Sequence, residues 1–235
     1  MKFSPDEQIY QFGPLEFSAT LVFTWATMAL LVGASWLMTR RLSKSPEVPR
    51  WQHLLEVVIL TIQKQIREVS LQEPGIYLPF VGTLFLFVGS CSLLTIVPGY
   101  QPPTASLITT AALATCVFFA VPIFGMTRHG LGNYLKQYVK PTPFMLPFNV
   151  IGELSRTLAL AVRLYGNMMS GSVMGAILLG FAPLFVPLIM NLFGLLTGLI
   201  QAYIFAILAM VYIASATAAH ERTSETNSLE ESPHE

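Results

Sequence analysis

Charge is what this chain has least of. Of its 235 residues, 13 are Lys or Arg and 13 are Asp or Glu, 11% in all, where a soluble domain carries about 25%. That is too little to coat a water-facing globule, and 53% of the residues are hydrophobic, so the chain belongs in a bilayer. The formal net charge is zero, and no basic stripe with interleaved aromatics occurs, which gives no footprint for a nucleic-acid partner. Cysteine is scarce too: Cys91 and Cys116 are the only two, both in apolar runs, with neither metal-ligand spacing nor the density of a disulfide scaffold. No Gly-rich phosphate loop is present, so no nucleotide and no cofactor is expected to bind here. The N-terminus, with Asp6 and Glu7 close behind Lys2, lacks the basic-then-apolar order of a cleaved signal peptide.

Where the few charges fall sets the topology. Residues 74–127 and 164–219 contain no Asp, Glu, Lys or Arg, and each gap exceeds twice the roughly 20 apolar residues that cross a hydrocarbon core. Residues 17–38 are apolar for one crossing and end at Thr39-Arg40-Arg41, with Lys44 and Arg50 beyond; this positive loop is expected on the cytoplasmic side, with the N-terminus outside. Over 51–73 the apolar positions 51, 54, 55, 58, 59, 62, 66 and 69 alternate with polar ones at helical spacing, the pattern of an amphipathic helix lying at the cytoplasmic interface. Residues 76–98 cross outward, a turn at Tyr100-Gln101-Pro102-Pro103 follows, and 104–126 cross back to a loop with Arg128, His129, Lys136 and Lys140, again cytoplasmic.

The last third reads as two long helices, 148–179 and 184–217, separated around Gly180-Phe181-Ala182-Pro183. At 1.5 Å per residue each would measure about 50 Å against a hydrocarbon thickness of about 30 Å, so the pair is expected to be strongly tilted and to form a hairpin. The expected fold is an all-α polytopic membrane protein: about five membrane-embedded helices plus the interfacial one, in a single membrane domain over 1–220. A polar, acidic tail over 221–235, with Glu221, Glu225, Glu230, Glu231 and Glu235, is expected to be disordered and cytoplasmic. No repeat of 20 to 50 residues of the kind seen in repeat transporters is visible.

One stripe carries the chemistry. Asn149, Glu153, Arg156, Arg163, Asn167 and Ser170 are spaced by 4, 3, 7, 4 and 3, which places them on one helix face with Leu160 as the sole apolar interruption. Arg163 stands in Leu160-Ala161-Val162-Arg163-Leu164-Tyr165, ten residues from Glu153, the only acid between 74 and 220. An arginine at membrane depth costs about 2.5–3.5 kcal/mol even on the mildest scale and cannot shed its proton. A negative partner is therefore required, and Glu153 has the nearer Arg156 at i+3. The plainer reading is a structural ion pair within the chain.

The second long helix has its own small and polar seam: Asn191, Gly194, Gly198, Gln201, Tyr212 and Ser215. Gly194 and Gly198 form a small-xxx-small pair suited to close helix approach, while a buried Gln201 amide needs partners that the Arg163 face would supply in a hairpin. Gly171-Ser172 evokes a serine nucleophile, but no His lies between His129 and His220, so no general base is at hand and Ser172 reads as a packing residue. No catalytic residue and no metal ligand set is expected.

Arg163-Leu164-Tyr165-Gly166-Asn167-Met168 resembles the Arg-Leu-Phe-Gly-Asn-Met signature of subunit a of the F-type ATP synthase. The segments Ile96 to Ala105, Arg128-His129-Gly130-Leu131, Pro141-Thr142-Pro143, Glu153-Leu154-Ser155-Arg156 and Gln201-Ala202-Tyr203-Ile204-Phe205 are similar to family segments in the same order, so the likeness runs over roughly residues 10–220. The resemblance implies a bacterial inner-membrane stator, not an enzyme by itself, that abuts a ring of c subunits and is tied to the peripheral stalk b subunits. It would supply two half-channels for the coupling ion, with Arg163 as the essential arginine and Gln201 its neighbour, and with Asn167, Glu153, Ser172 and Tyr212 along the ion path.

Four departures from the family pattern bear on the ion. Ser172 and Gly194 stand where relatives often place an acid and a His, and Ser92 and Ser106 where Asn or Asp is frequent. The lining is then hydroxyl-rich and poorly titratable, compatible with a water-filled proton path and equally with a sodium-translocating variant. The competing class is a secondary transporter or channel working without a rotor, with Arg163 binding an anion. The missing repeat and the missing second charge in the last membrane stretch speak against it.

Overall fold

The computed structural model describes residues 9–12, 15–40, 50–70, 75–97, 100–129, 145–180 and 186–230. Pro98-Gly99, just before the expected turn, the basic loops over 41–49 and 130–144, and Phe181-Ala182-Pro183 lie outside the described residues. The chain opens on a two-stranded antiparallel hairpin, β1 (Ile9–Phe12) and β2 (Leu15–Ser18), in which Ile9 faces Ser18 and Phe12 faces Leu15. Six α-helices follow among the described residues: α1 (Ala19–Arg40), α2 (Arg50–Ser70), α3 (Leu78–Leu93), α4 (Leu107–His129), α5 (Met145–Leu179) and α6 (Val186–Glu230). Among the described residues, Thr20–Leu37, Leu78–Ile96, Leu107–Thr127 and Ile189–Thr217 are long and apolar enough to cross a membrane. The molecule is thus an all-α polytopic membrane protein, with the terminal hairpin as an addition that the hydrophobic pattern does not announce. α5 is not among those four spans, because its polar stripe lowers its hydropathy.

α6 is the centre of the bundle, packing on α3, α5, α4 and α2. Ala202, Phe205 and Ala209 meet Leu84 and Val88 of α3, Ala114 and Val117 of α4, and Leu160 and Leu164 of α5. One turn further on, Ala206, Met210 and Ile213 meet Ile66 of α2, Tyr77 and Val81 of α3, and Ala120 and Val121 of α4. The alternation of alanine with bulkier residues lets three neighbours approach one helix at once. Serine and threonine hydroxyls inside the helices donate to carbonyls one turn back, as Thr83, Thr115, Thr157, Thr197 and Thr217 do, so they sit in an apolar setting without an unmet donor.

Two elements depart from the expected layout. The turn after α3 is not an exposed loop: Pro103–Ala105 forms a 3₁₀ turn, buried together with Ser106, that packs against α1, α3, α4 and α5. Irregular backbone within a membrane bundle is tolerated where protein covers it. The last helix continues to Glu230, so 221–230 is helical where composition predicts disorder. Extending a formed helix adds one hydrogen bond per residue without a new nucleus. Residues 231–235 lie outside the described residues.

α1 is peripheral; it buries Thr20 and Thr27 and leaves Trp25 65% and Trp36 57% exposed. Besides its packing on α3 and the Pro103–Ala105 turn, it is tied to the bundle by Tyr100, whose hydroxyl shares a 2.9 Å hydrogen bond with Thr27 Oγ1 and whose ring meets Phe23 edge-on at 5.3 Å. Tyr100→Phe should lower stability by about 1 kcal/mol, the worth of one hydrogen bond, and Tyr100→Ala by about 3–5 kcal/mol because the ring contact goes too. Equilibrium unfolding in detergent checks both values.

Candidate functional site: the Arg163 face of the α5–α6 hairpin

α5 and α6 run antiparallel, pinned at two levels. Asn167 Nδ2 donates to the Thr197 carbonyl at 3.4 Å, and the Arg156 guanidinium lies over the Tyr212 ring at 5.9 Å. Arg163 is one turn before Asn167 on α5, and Gln201 one turn past Thr197 on α6, so the two share a level between those contacts. They do not share an environment. Gln201 is 5% exposed and its Nε2 is buried without a hydrogen-bond partner, whereas Arg163 is exposed. The expected Arg163–Gln201 hydrogen bonding is absent among the described residues, because one side chain turns into the bundle and the other away from it.

The polar stripe of α5 is therefore split rather than uniform. Leu160 and Leu164 are 1% and 0% exposed and belong to the core, while Asn149, Arg156, Arg163 and Ser170 are exposed and Glu153 and Asn167 half-buried. Residues three apart sit about 60° apart around a helix, enough to put Leu160 inside and Arg163 outside. Glu153 is ten residues, about 15 Å, along the axis from Arg163, too far to pair with it. Arg156, the expected i+3 partner of Glu153, lies over the Tyr212 ring. A salt bridge between Lys64 and Glu68, at 3.9 Å, is on α2. Arg163 thus presents a permanent cation on the outer wall of α5, and among the described residues no ion pair is recorded for it.

Gly198 and Gly194 separate cleanly. A Cβ at Gly198 would lie 2.6 Å from Ser92 Oγ and 2.7 Å from Ser92 Cβ, with Met168 at 3.4 Å, so α6 touches α3 there; at Gly194 nothing lies within 4 Å. Ser92 and Ser106, flagged by their departure from the family pattern, are 1% and 0% exposed. Near them come groups that the sequence did not single out. Thr104 is fully buried with Oγ1 unpartnered, Gln101 Oε1 is buried and unpartnered, and Thr110 is buried. Their signal was a polar cluster between two apolar runs, which reads as an exterior turn. The side chain of Ser172 lies outside the described residues. Among the described residues no cluster of His, Cys, Asp or Glu could hold a metal.

The fold is that of a polytopic integral membrane protein whose distinguishing site is an exposed arginine on the outer wall of a helical hairpin. The sequence pattern of the ATP synthase A chain matches residues 21–214. The chain is 56% identical over 225 residues to ATP synthase subunit a 1 of Chlorobaculum parvum, covering 95% of this chain and 100% of that one. It is 58% identical over 218 residues to ATP synthase subunit a of Albidiferax ferrireducens (92% and 94% covered), and 58% identical over 233 residues to ATP synthase subunit a 2 of Picosynechococcus (98% and 99%). The chain belongs to the ATP synthase A chain family. As a member it is a non-catalytic membrane subunit of the Fo sector, works in a complex with other subunits, and is not an enzyme by itself.

Proposed function

We propose that the α5–α6 hairpin is the rotor-facing wall of the stator and that Arg163 meets, one after another, the buried carboxylates of a c-subunit ring. The observation that carries this reading is the exposed guanidinium, which has no carboxylate partner among the described residues. A fixed cation beside a passing carboxylate favours its ionised form, so an arriving ring site releases its ion into one half-channel and reloads from the other. The same charge blocks direct leakage between the channels. Each charge that crosses yields about 2.3 kcal/mol per 100 mV, and rotation sums several of them toward one ATP. The complex sits in the bacterial inner membrane, held by the peripheral stalk b subunits, with the N-terminus of this chain outside and its C-terminus cytoplasmic.

Gln201, level with Arg163, acts from the second helix. Because its buried Nε2 is unpartnered, Gln201→Leu should leave the stability of the chain unchanged or slightly raised. Coupled ATP synthesis should still fall by roughly 10- to 100-fold if the Gln201 amide turns to the charged ring site as it passes, since a hydrogen bond to a charged group is worth about 1.5–3 kcal/mol. By the same reading Asn167, Glu153, Ser172 and Tyr212 take part in ion translocation.

The coupling ion is a proton in this reading. The buried oxygens of Ser92, Gln101, Thr104 and Ser106 favour a second one, sodium, since hard cations take oxygen ligands. Ion uptake into vesicles holding the whole complex during ATP hydrolysis separates the two. Uncoupler-sensitive acidification that is indifferent to sodium supports the proton; sodium uptake that persists with uncoupler supports the cation. Neither flux would defeat both.

A further inference from the structure

Away from the Arg163 face, α2, α3 and α6 enclose a cavity of about 160 Å³. Its walls are Val58 and Ile62 of α2, Val81 and Phe85 of α3, and Ile207 and Met210 of α6. The bordering polar groups are engaged within the protein: Thr61 Oγ1 donates to the Val57 carbonyl at 2.7 Å, and the Tyr203 hydroxyl donates to Gln65 Oε1 at 2.9 Å. The cavity therefore offers a polar ligand almost nothing, the amide N–H groups of Gln65 excepted. Water is no better suited, since an engineered apolar cavity of about 150 Å³ in another protein stays dry and binds benzene. A protein helix, about 10–12 Å across with its side chains, does not enter such a space.

The mouth indicates which hydrocarbon fills it. Val57 and Tyr203 line the cavity and are also 47% and 41% exposed, so it opens sideways through an apolar rim. On α2, Lys64 and Glu68 follow Thr61 by three and seven residues and pair at 3.9 Å with side chains 76% and 55% exposed. Spacings of three and seven put that charged edge on the cavity's flank of the helix, the side that an amphipathic helix at a membrane interface turns to headgroups. A molecule seated here has its polar end at the charged edge and its apolar end in the cavity. We propose that the cavity between α2, α3 and α6 binds one acyl chain of a phospholipid from the leaflet that α2 borders, with an ester carbonyl accepting from the Gln65 amide. The site is separate from the Arg163 face, and it stands whether or not the rotor reading does.

The test uses the full-length chain in phosphatidylcholine vesicles doped with phosphatidylcholine carrying a diazirine midway along one acyl chain. After photolysis, label is mapped by peptide mass spectrometry. Label should concentrate on the Val57–Ile66, Val81–Phe85 and Tyr203–Met210 segments relative to α1, whose outer face serves as the non-specific reference. Ile207→Trp and, independently, Val58→Phe fill the space and should each lower cavity label by about fivefold or more, with α1 label retained as the sign of an inserted, folded chain. Cavity label no higher than that of α1, or label unmoved by both substitutions, would overturn the proposal. So would strong label in the isolated chain that vanishes in the whole complex, since another subunit would then own the mouth.

Discussion

Arg163→Ala should abolish ion-coupled ATP synthesis while the complex still assembles. Truncating one side of a desolvated charge pair costs about 3–5 kcal/mol, a factor of at least roughly 100 in the coupled rate. The side chain is exposed in this subunit and holds no core contact, so the isolated chain should unfold at the same denaturant concentration as the unsubstituted one. Arg163→Lys should fail as well, because an ammonium at depth can lose its proton and lacks the planar fork. The ring carboxylate would then lose a permanent counter-charge. ATP synthesis driven by an imposed gradient, measured beside the amount of complex recovered, checks both parts. A lysine variant that kept full coupling would show that any transient cation suffices.

The second large effect is steric. Gly198→Val should cost several kcal/mol, since even a Cβ would stand 2.6–2.7 Å from Ser92 and overpacking of about one methylene already costs 1–3 kcal/mol. At roughly 2–4 °C per kcal/mol for a chain of this size, the thermal midpoint should drop by an easily measured amount, and less complex should assemble. Because both Ser92 Oγ and Ser92 Cβ are in the way, Ser92→Gly should restore much of the loss and Ser92→Ala little of it. Gly194→Ala, with open space around it, should be nearly neutral. Equal penalties at the two glycines would mean that the seam is a general helix-packing motif and not one close contact.

These two sites illustrate what the sequence could disclose. Charge-free runs marked four apolar helices, and the apolar spacing of 51–69 marked α2, because each follows from burial against lipid or water. Periodicity also placed Arg163, Asn167 and Leu160 on one side of α5. It could not say that the edge of the packed surface passes between Leu160 and Arg163, since that depends on where α4 and α6 lie. The Gly198 contact was half legible: small residues four apart suggested close approach, but the partner, Ser92, lies on a helix more than a hundred residues earlier. The buried turn at Pro103–Ala105 was hidden for the opposite reason, because proline and polar residues usually mark an exterior loop. The opening hairpin left only Gly13-Pro14 between apolar neighbours, and the helical 218–230 stretch left no signal in composition.

The claim on which the account turns is that the missing negative partner of Arg163 belongs to another chain. Ala159 is exposed and one turn before Arg163 on α5, so a cysteine there samples the same outer face. With Cys91 and Cys116 replaced by alanine, Ala159→Cys in the assembled complex should form a disulfide with a cysteine placed one turn from the ring carboxylate of the c subunit. A cysteine at Trp25, on the exposed side of α1, should form none. Cross-linking at Ala159 to the ring, lost when the complex is dissociated, is the result the account predicts. Absence of that cross-link in an assembled, ATP-synthesising complex would contradict it.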